Sequence, residues 1–260
     1  MSNPTDPKSL SQQRFGDFAA AYLTSTPHVE GEDLQKLLAL TDPQPHWHVL
    51  DIATGGGHTA NLIAPRVKLM VAGDITYKML RVAQTLLSQH DNTVYTTTDA
   101  EHLAFAPNSF DLVTCRIAPH HFPNCFRFVQ ECARVLKPNG KLVIEDHYSP
   151  ENDHTARYID AFEQLRDPSH HRIYAEYEWR GMYLDAGLVV DKTFLMHKSA
   201  GGFFDWANRQ NASPETIEKL EIMLHQAPKD VKEFLHPRAI GTPEADFDHS
   251  YIIIAGHKPA

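Results

Sequence analysis

The chain has 260 residues, 42% of them hydrophobic, and a formal charge of −9, the balance of a globular domain with a sizeable core. A pI near 6.0 offers little attraction to phosphate backbones or anionic lipid, so a small molecule is the expected partner and nucleic acid is not. No apolar run approaches the roughly 18 residues that cross a bilayer, which argues against membrane insertion.

Residues 1 to about 10 read as a frayed polar arm, followed by helical spacing over Phe15 to Ser25 and Gly31 to Thr41. After the breaker Asp42 to Pro45 the pattern becomes alternating. A strand over HVLDIA leads into a helix from His58, Lys68 to Asp74 is a second strand, and YKMLRVAQTLLSQH is a second helix. Thr93 to Ala100 and Phe110 to Ala118 are further strands. A helical CFRFVQECARVL follows, then the turn Lys137 to Gly140 and the strand Lys141 to Tyr148. Such alternation predicts an α/β fold, a parallel sheet covered by helices with ligands at the carboxyl ends of its strands. Two late strands, Gly187 to Lys198 and His249 to Lys258, flank a helical insertion of about 50 residues. The chain reads as a single domain: a helical cap over 1–45, a core over 46–150 and a substrate side over 151–260. Cys115, Cys125 and Cys132 form an odd set without CxxC spacing, and the amino-terminal MSNPTDPKSL has no apolar signal core. A cytoplasmic location is expected. Cys115, inside a strand, reads as a small buried residue.

Between the first strand and its helix, Gly55, Gly57 and Ala60 match the G-x-G-x-x-G/A pattern. Missing Cβ atoms permit a tight turn and close approach of an extended ligand. Asp74 ends the second strand, placed to accept from both ribose hydroxyls of either a dinucleotide or S-adenosylmethionine (SAM). Asp99, followed by Ala100 and Glu101, ends the third strand, where a carboxylate can accept from an adenine amine. That second acid favours SAM over NAD.

The segments LDIATGGGHTA, GDITYKML, DAEHLAFAPNSFDLVTCRIAPHHF, RVLKPNGKLVIEDHYSPE and LRDPSHHR resemble the class I SAM-dependent methyltransferases, in the UbiE-like and YcgJ-like branch. The resemblance implies a Rossmann-like, seven-stranded, mostly parallel sheet whose antiparallel last strand lies beside the sixth, with helical insertions as a lid. It also implies a small-molecule methyltransferase. Asp51, Ala53, Thr54, Gly55 and Gly57 would line the methionine end of the cofactor and Asp74 its ribose. Ile75 and Met79 would pack on adenine, Asp99, Ala100 and Glu101 would meet its edge, and Arg116 with Ile117 would close the pocket. Phe15 and Tyr22 would cover it. Ala53 replaces a common glycine; a left-handed backbone there would cost alanine on the order of 1 kcal/mol, so φ < 0 is expected.

A base is needed only if the acceptor O, N or C must lose a proton, and histidine suits that task near neutral pH. His120 and His121 after the fourth strand and His147 after the fifth are the candidates. Tyr148, Arg166, His170 and Trp179 are candidate substrate contacts, and Trp179, Tyr183, Phe203, Phe204 and Trp206 could form an aromatic lid over a moderately apolar acceptor. A metal site from His120, His147 and Asp146 or Asp153 lacks supporting spacing, so no metal is expected. The rival functions are an NAD oxidoreductase and a SAM-binding sensor or scaffold without transfer. Sequence fixes no oligomeric state, and a homodimer is compatible with it.

Overall fold

The computed structural model describes residues 6–18 and 32–260. Its centre is a seven-stranded sheet in the order β3-β2-β1-β4-β5-β7-β6. The strands are β1 (His48–Ile52), β2 (Leu69–Asp74), β3 (Thr93–Thr97), β4 (Phe110–Arg116), β5 (Leu136–His147), β6 (Val189–Ser199) and β7 (Asp248–His257). Pairings among β1 to β5 are parallel, and β7 runs antiparallel to both β5 and β6, as the resemblance implied.

Both faces of this sheet are covered, and the residues show it by alternation. Leu50, Ile52, Leu142, Ile144, Ile252 and Ile254 belong to one core layer, while the intervening Val49, Val143, Ile253 and Ala255 belong to the other. Such strands are apolar on successive residues because neither face meets water. The covering helices are α1 (Pro7–Phe18), α2 (Glu32–Thr41), α3 (His58–Ile63), α4 (Tyr77–Leu87), α5 (Cys125–Val135), α6 (Asp153–Arg166) and α7 (Glu176–Asp185). Between β6 and β7 come α8 (Phe203–Asn208), α9 (Pro214–Gln226) and α10 (Lys229–Leu235). These last three pack with α6 in a third apolar cluster around Phe162, Trp206 and Phe247. Side-chain caps start several helices: Asn124 accepts from Arg127 N, Asn152 from His154 N and Thr155 N, and Ser213 from Thr216 N before Pro214.

Two boundaries differ from the sequence reading. The supposed arm is helical from Pro7, because Asp6 accepts from Ser9 N at 3.0 Å and Ser9 Oγ at 2.9 Å, a cap the charge pattern hid. The expected helix to Ser25, with Tyr22, runs into residues outside the described set. Lys137 to Gly140 is no separate turn but part of β5. Its ladder slips between Phe110↔Leu136 and Leu112↔Lys141, and Asn139 takes φ 62 to absorb the extra residues.

Candidate active site

Because β1 and β4 are neighbours whose connections leave in opposite directions, a crevice opens at their carboxyl ends. A cavity of about 880 Å³ occupies it, lined by the loops after β1, β2, β4 and β5, by α1 and by the segment from β6 into α8.

The loop after β1 is wound by alternating left-handed residues: Ala53 (φ 51), Gly55 (φ 56) and Gly57 (φ 88). The expectation of φ < 0 at Ala53 is therefore corrected. Alanine is held there because Thr54 N donates to Gly73 O at 2.9 Å and Thr54 Oγ1 to Asp51 Oδ2 at 2.7 Å. Asp51 also accepts from Thr114 Oγ1 at 2.7 Å, so this buried acid organises the loop, and burial pushes its pKa up to about 6. Gly57 does not line the cavity; a Cβ there would meet Leu87 at 3.1 Å and Ala83 at 3.2 Å, so its smallness serves helix packing. Thr54, Gly55, Ile75 and Met79 do line it.

Asp74 accepts from Gly55 N at 3.0 Å and Thr76 N at 2.8 Å, and burial raises its pKa to about 6 against those bonds. Its carboxylate has lone pairs left for two hydroxyls. Asp99, Ala100 and Glu101 form the next stretch of wall. Lys8 of α1 bridges Asp99 at 2.7 Å and Glu101 at 2.6 Å, while Asn124 N donates to Glu101. Burial opposes ionisation of Asp99, but Lys8 and its other donors hold its pKa below the usual carboxylate value. With His102, this is the one group among the described residues whose ligand atoms lie close enough for a metal, and the Lys8 ammonium already sits against it. His120, His147, Asp146 and Asp153 form no such group.

Arg116 lines the cavity with its guanidinium turned to Asp33 at 2.7 Å and Glu145 at 2.9 Å; Lys198 of β6 also pairs with Asp33. Burial pushes Glu145 up to about 8, with Arg116 pulling back and Asp33 adding to the rise. Ile117, the other pocket-closing candidate, sits at φ 51 with its N–H on Glu145 O at 2.7 Å. A β-branched residue in that region is strained by its own side chain.

The histidines gather at the opposite end. His120 presents Nδ1 to Asp146 Oδ1 at 2.6 Å and its backbone N–H to Oδ2 at 2.8 Å. Burial disfavours its cation, yet Asp146 outweighs burial and the pKa is raised. His121 turns Nδ1 to Ser169 O at 3.0 Å and meets the Phe15 ring edge-on; burial and His120 lower its pKa to about 3. His147 lies between the rings of His120 (5.2 Å) and His249 (4.8 Å), and burial beside two histidines keeps it neutral. Arg166 lines the same cavity and stacks on Trp206 at 4.3 Å.

Three substrate-side expectations fall elsewhere. Trp179 is fully buried in the core behind α7 and lines no cavity described here. Tyr148 and His170 line a second cavity of about 30 Å³ behind the histidine wall, where His170 bonds Asp160 and Tyr148 OH bonds His197. Of the supposed aromatic lid, Trp206 lines the cleft, while Tyr183 and Phe203 are core. Sequence reasoning missed Lys8, Asp33, Lys198, His249 and Tyr251, all of which line the cleft. Each is far from the motifs in the chain and carries no local signature.

Comparison with known proteins fits this geometry. A methyltransferase domain model matches residues 50–144. The uncharacterised methyltransferase YcgJ of Bacillus subtilis is 36% identical over 171 residues, 65% of this chain and 68% of that protein. The ubiquinone/menaquinone biosynthesis C-methyltransferase UbiE of Hydrogenovibrio crunogenus is 31% identical over 68% of this chain and 72% of its own length. A crystal structure from Bacillus halodurans C-125, 36% identical, superposes with a TM-score of 0.85 over 88% of this chain and 100% of that one. The lining fits SAM: a buried acid at Asp74, a tight loop over Ala53 to Gly55, apolar Ile75 and Met79, and buried hydroxyls of Ser11 and Thr98 that lack partners among the described residues. The NAD reading is set aside, and the chain belongs to the SAM-dependent methyltransferases.

Proposed function

We propose that the protein methylates an oxygen or carbon acid of a small metabolite, with His120 as the base. SAM supplies an activated methyl group on a sulfonium, so the chain's task is to align the acceptor and take its proton. Alignment alone is worth roughly 7–11 kcal/mol in favourable cases. Asp51, Ala53, Thr54 and Gly55 would hold the methionine end, Asp74 the ribose, and Ile75, Met79, Asp99, Ala100 and Glu101 the adenine. Arg116 and Ile117 would separate cofactor from acceptor.

One observation carries the choice of base: the 2.6 Å contact between His120 Nδ1 and Asp146 in the wall of the cleft. The carboxylate fixes the tautomer that leaves Nε2 as proton acceptor and stabilises the imidazolium formed. His121 and His147, both held neutral by burial, would contact substrate without acting as the base. Residues 1–45 would act as a cap and 151–260 as the acceptor side, with Arg166 on its wall. No helix among the described residues is long and apolar enough to cross a membrane, and the three thiols are free and buried, which supports a cytoplasmic setting. A homodimer is the oligomer we would look for.

Incubation with methyl-labelled SAM and a fractionated metabolite extract tests the reading. Label on an oxygen or carbon of a small product is expected. Binding of SAM with no transfer to any fraction would instead favour a sensor or scaffold.

A further inference from the structure

The far wall of the cleft holds a second histidine–carboxylate pair. His249 of β7 turns Nε2 to Glu163 Oε1 of α6 at 3.1 Å. Rings of His147 (4.8 Å), Phe247 (4.9 Å) and Trp206 (5.9 Å) surround it and fix its plane. Nδ1 of His249 makes no hydrogen bond among the described residues, nor does either nitrogen of His147, and both residues line the cleft. Two donors without an acceptor among the described residues, Arg166 Nε and Trp206 Nε1, are buried in the same wall. A hydrocarbon acceptor would cover the His147 and His249 nitrogens without offering them a bond, at about 1–3 kcal/mol for each group left unpaired.

We infer that His249, oriented by Glu163, is a specificity-determining residue that receives a second oxygen function of the methyl acceptor, distinct from the one facing His120. The inference rests on the transferase reading and refines its acceptor, which the sequence left as moderately apolar. Flat surface would pack against Phe15, Trp206 and Tyr251, with one oxygen at each histidine–carboxylate pair and His147 between them. The second oxygen belongs to a hydroxyl, because the Glu163 carboxylate takes the Nε2 proton and leaves His249 Nδ1 as an acceptor, and because the same carboxylate repels an anion. Burial works against ionisation of Glu163, but His249 and Arg166 outweigh it and keep it charged.

The test uses the full chain loaded with S-adenosylhomocysteine and two probes, phenol and catechol, in calorimetric titrations. Catechol should bind at least fivefold tighter than phenol. His249→Phe, which keeps the ring's volume, should bring catechol to the level of phenol while leaving phenol and S-adenosylhomocysteine within twofold; His249→Gln is the second variant should the first fail to fold. Equal binding of the two probes, binding of neither, or an equal weakening of both by His249→Phe would overturn the inference and leave the transferase reading standing. Failure of the unaltered protein to bind S-adenosylhomocysteine would overturn both.

Discussion

At the proposed cofactor end of the cleft, Asp51 to Gly55 and Asp74 to Thr76 span the carboxyl ends of β1 and β2 and the loops that leave them, and the two segments bond directly, Gly55 N on Asp74 and Thr54 N on Gly73. The proposed acceptor end instead draws His120, His147, Arg166, Trp206 and His249 from five separate elements, joined by ion pairs and ring contacts. A site made of adjacent backbone can be strained and still persist, as Ala53 and Ile117 show. A site made of distant side chains exists only once β7 and the helices before it have docked. The first can therefore be kept across acceptors while the second changes.

That contrast can be broken by mutation. The largest effect should come from His120→Ala, with kcat falling about 10²–10⁴-fold in a labelled-methyl assay, the usual worth of a positioned base. Because Asp146 raises the pKa of His120, the rate of the unaltered enzyme should climb with pH across a range above that of an ordinary histidine. A flat profile would remove His120 from the role. Next, Arg116→Met would leave Asp33 and Glu145 without their shared guanidinium, and about 3–5 kcal/mol of stability should be lost on denaturant unfolding.

Smaller effects sharpen the same contrast. Glu145 has a folded pKa of about 8, above its unfolded value, so its contribution is whole below about pH 4.5 and is lost as pH rises toward 8. Asp51 and Asp74, raised to about 6, complete the same kind of loss at lower pH. Between pH 6.5 and 9 the melting temperature of the unaltered protein should drop by a few degrees more than that of Glu145→Gln. Ala53→Gly should stabilise the loop by about 1 kcal/mol, since only glycine takes φ 51 without steric strain. Unchanged or lower stability in thermal unfolding would mean that Ala53 does not carry the strain assigned to it.

Legibility follows the same division. The alternation of strands and helices and the antiparallel β7 were readable, the first from local periodicity and the second from a family pattern, and glycine spacing and strand-end acids pointed to loops that line the cleft. Ala53 was misjudged because a backbone angle depends on the bonds of its neighbour Thr54 to Gly73 and Asp51, which sequence does not display. Trp179 was misplaced because an aromatic on a helix looks alike whether it faces core or ligand, and here α7 turns it inward. His249 was passed over as part of an ordinary last strand. Its significance comes from Glu163 and Trp206, 86 residues away for the first bond. Lys8 was taken for part of a loose arm, although it closes on Asp99 and Glu101 across the sheet's edge.

The two ends of the cleft are most directly separated by titrating S-adenosylhomocysteine into Asp74→Asn and His120→Ala by calorimetry. Two hydrogen bonds to a charged acceptor, each worth about 1.5–3 kcal/mol, should be weakened in the first, which predicts at least a tenfold loss of affinity. In His120→Ala the affinity should stay within twofold of the unaltered protein. Comparable losses in both variants would contradict the account, because they would show the cofactor and acceptor ends to be a single cooperative site.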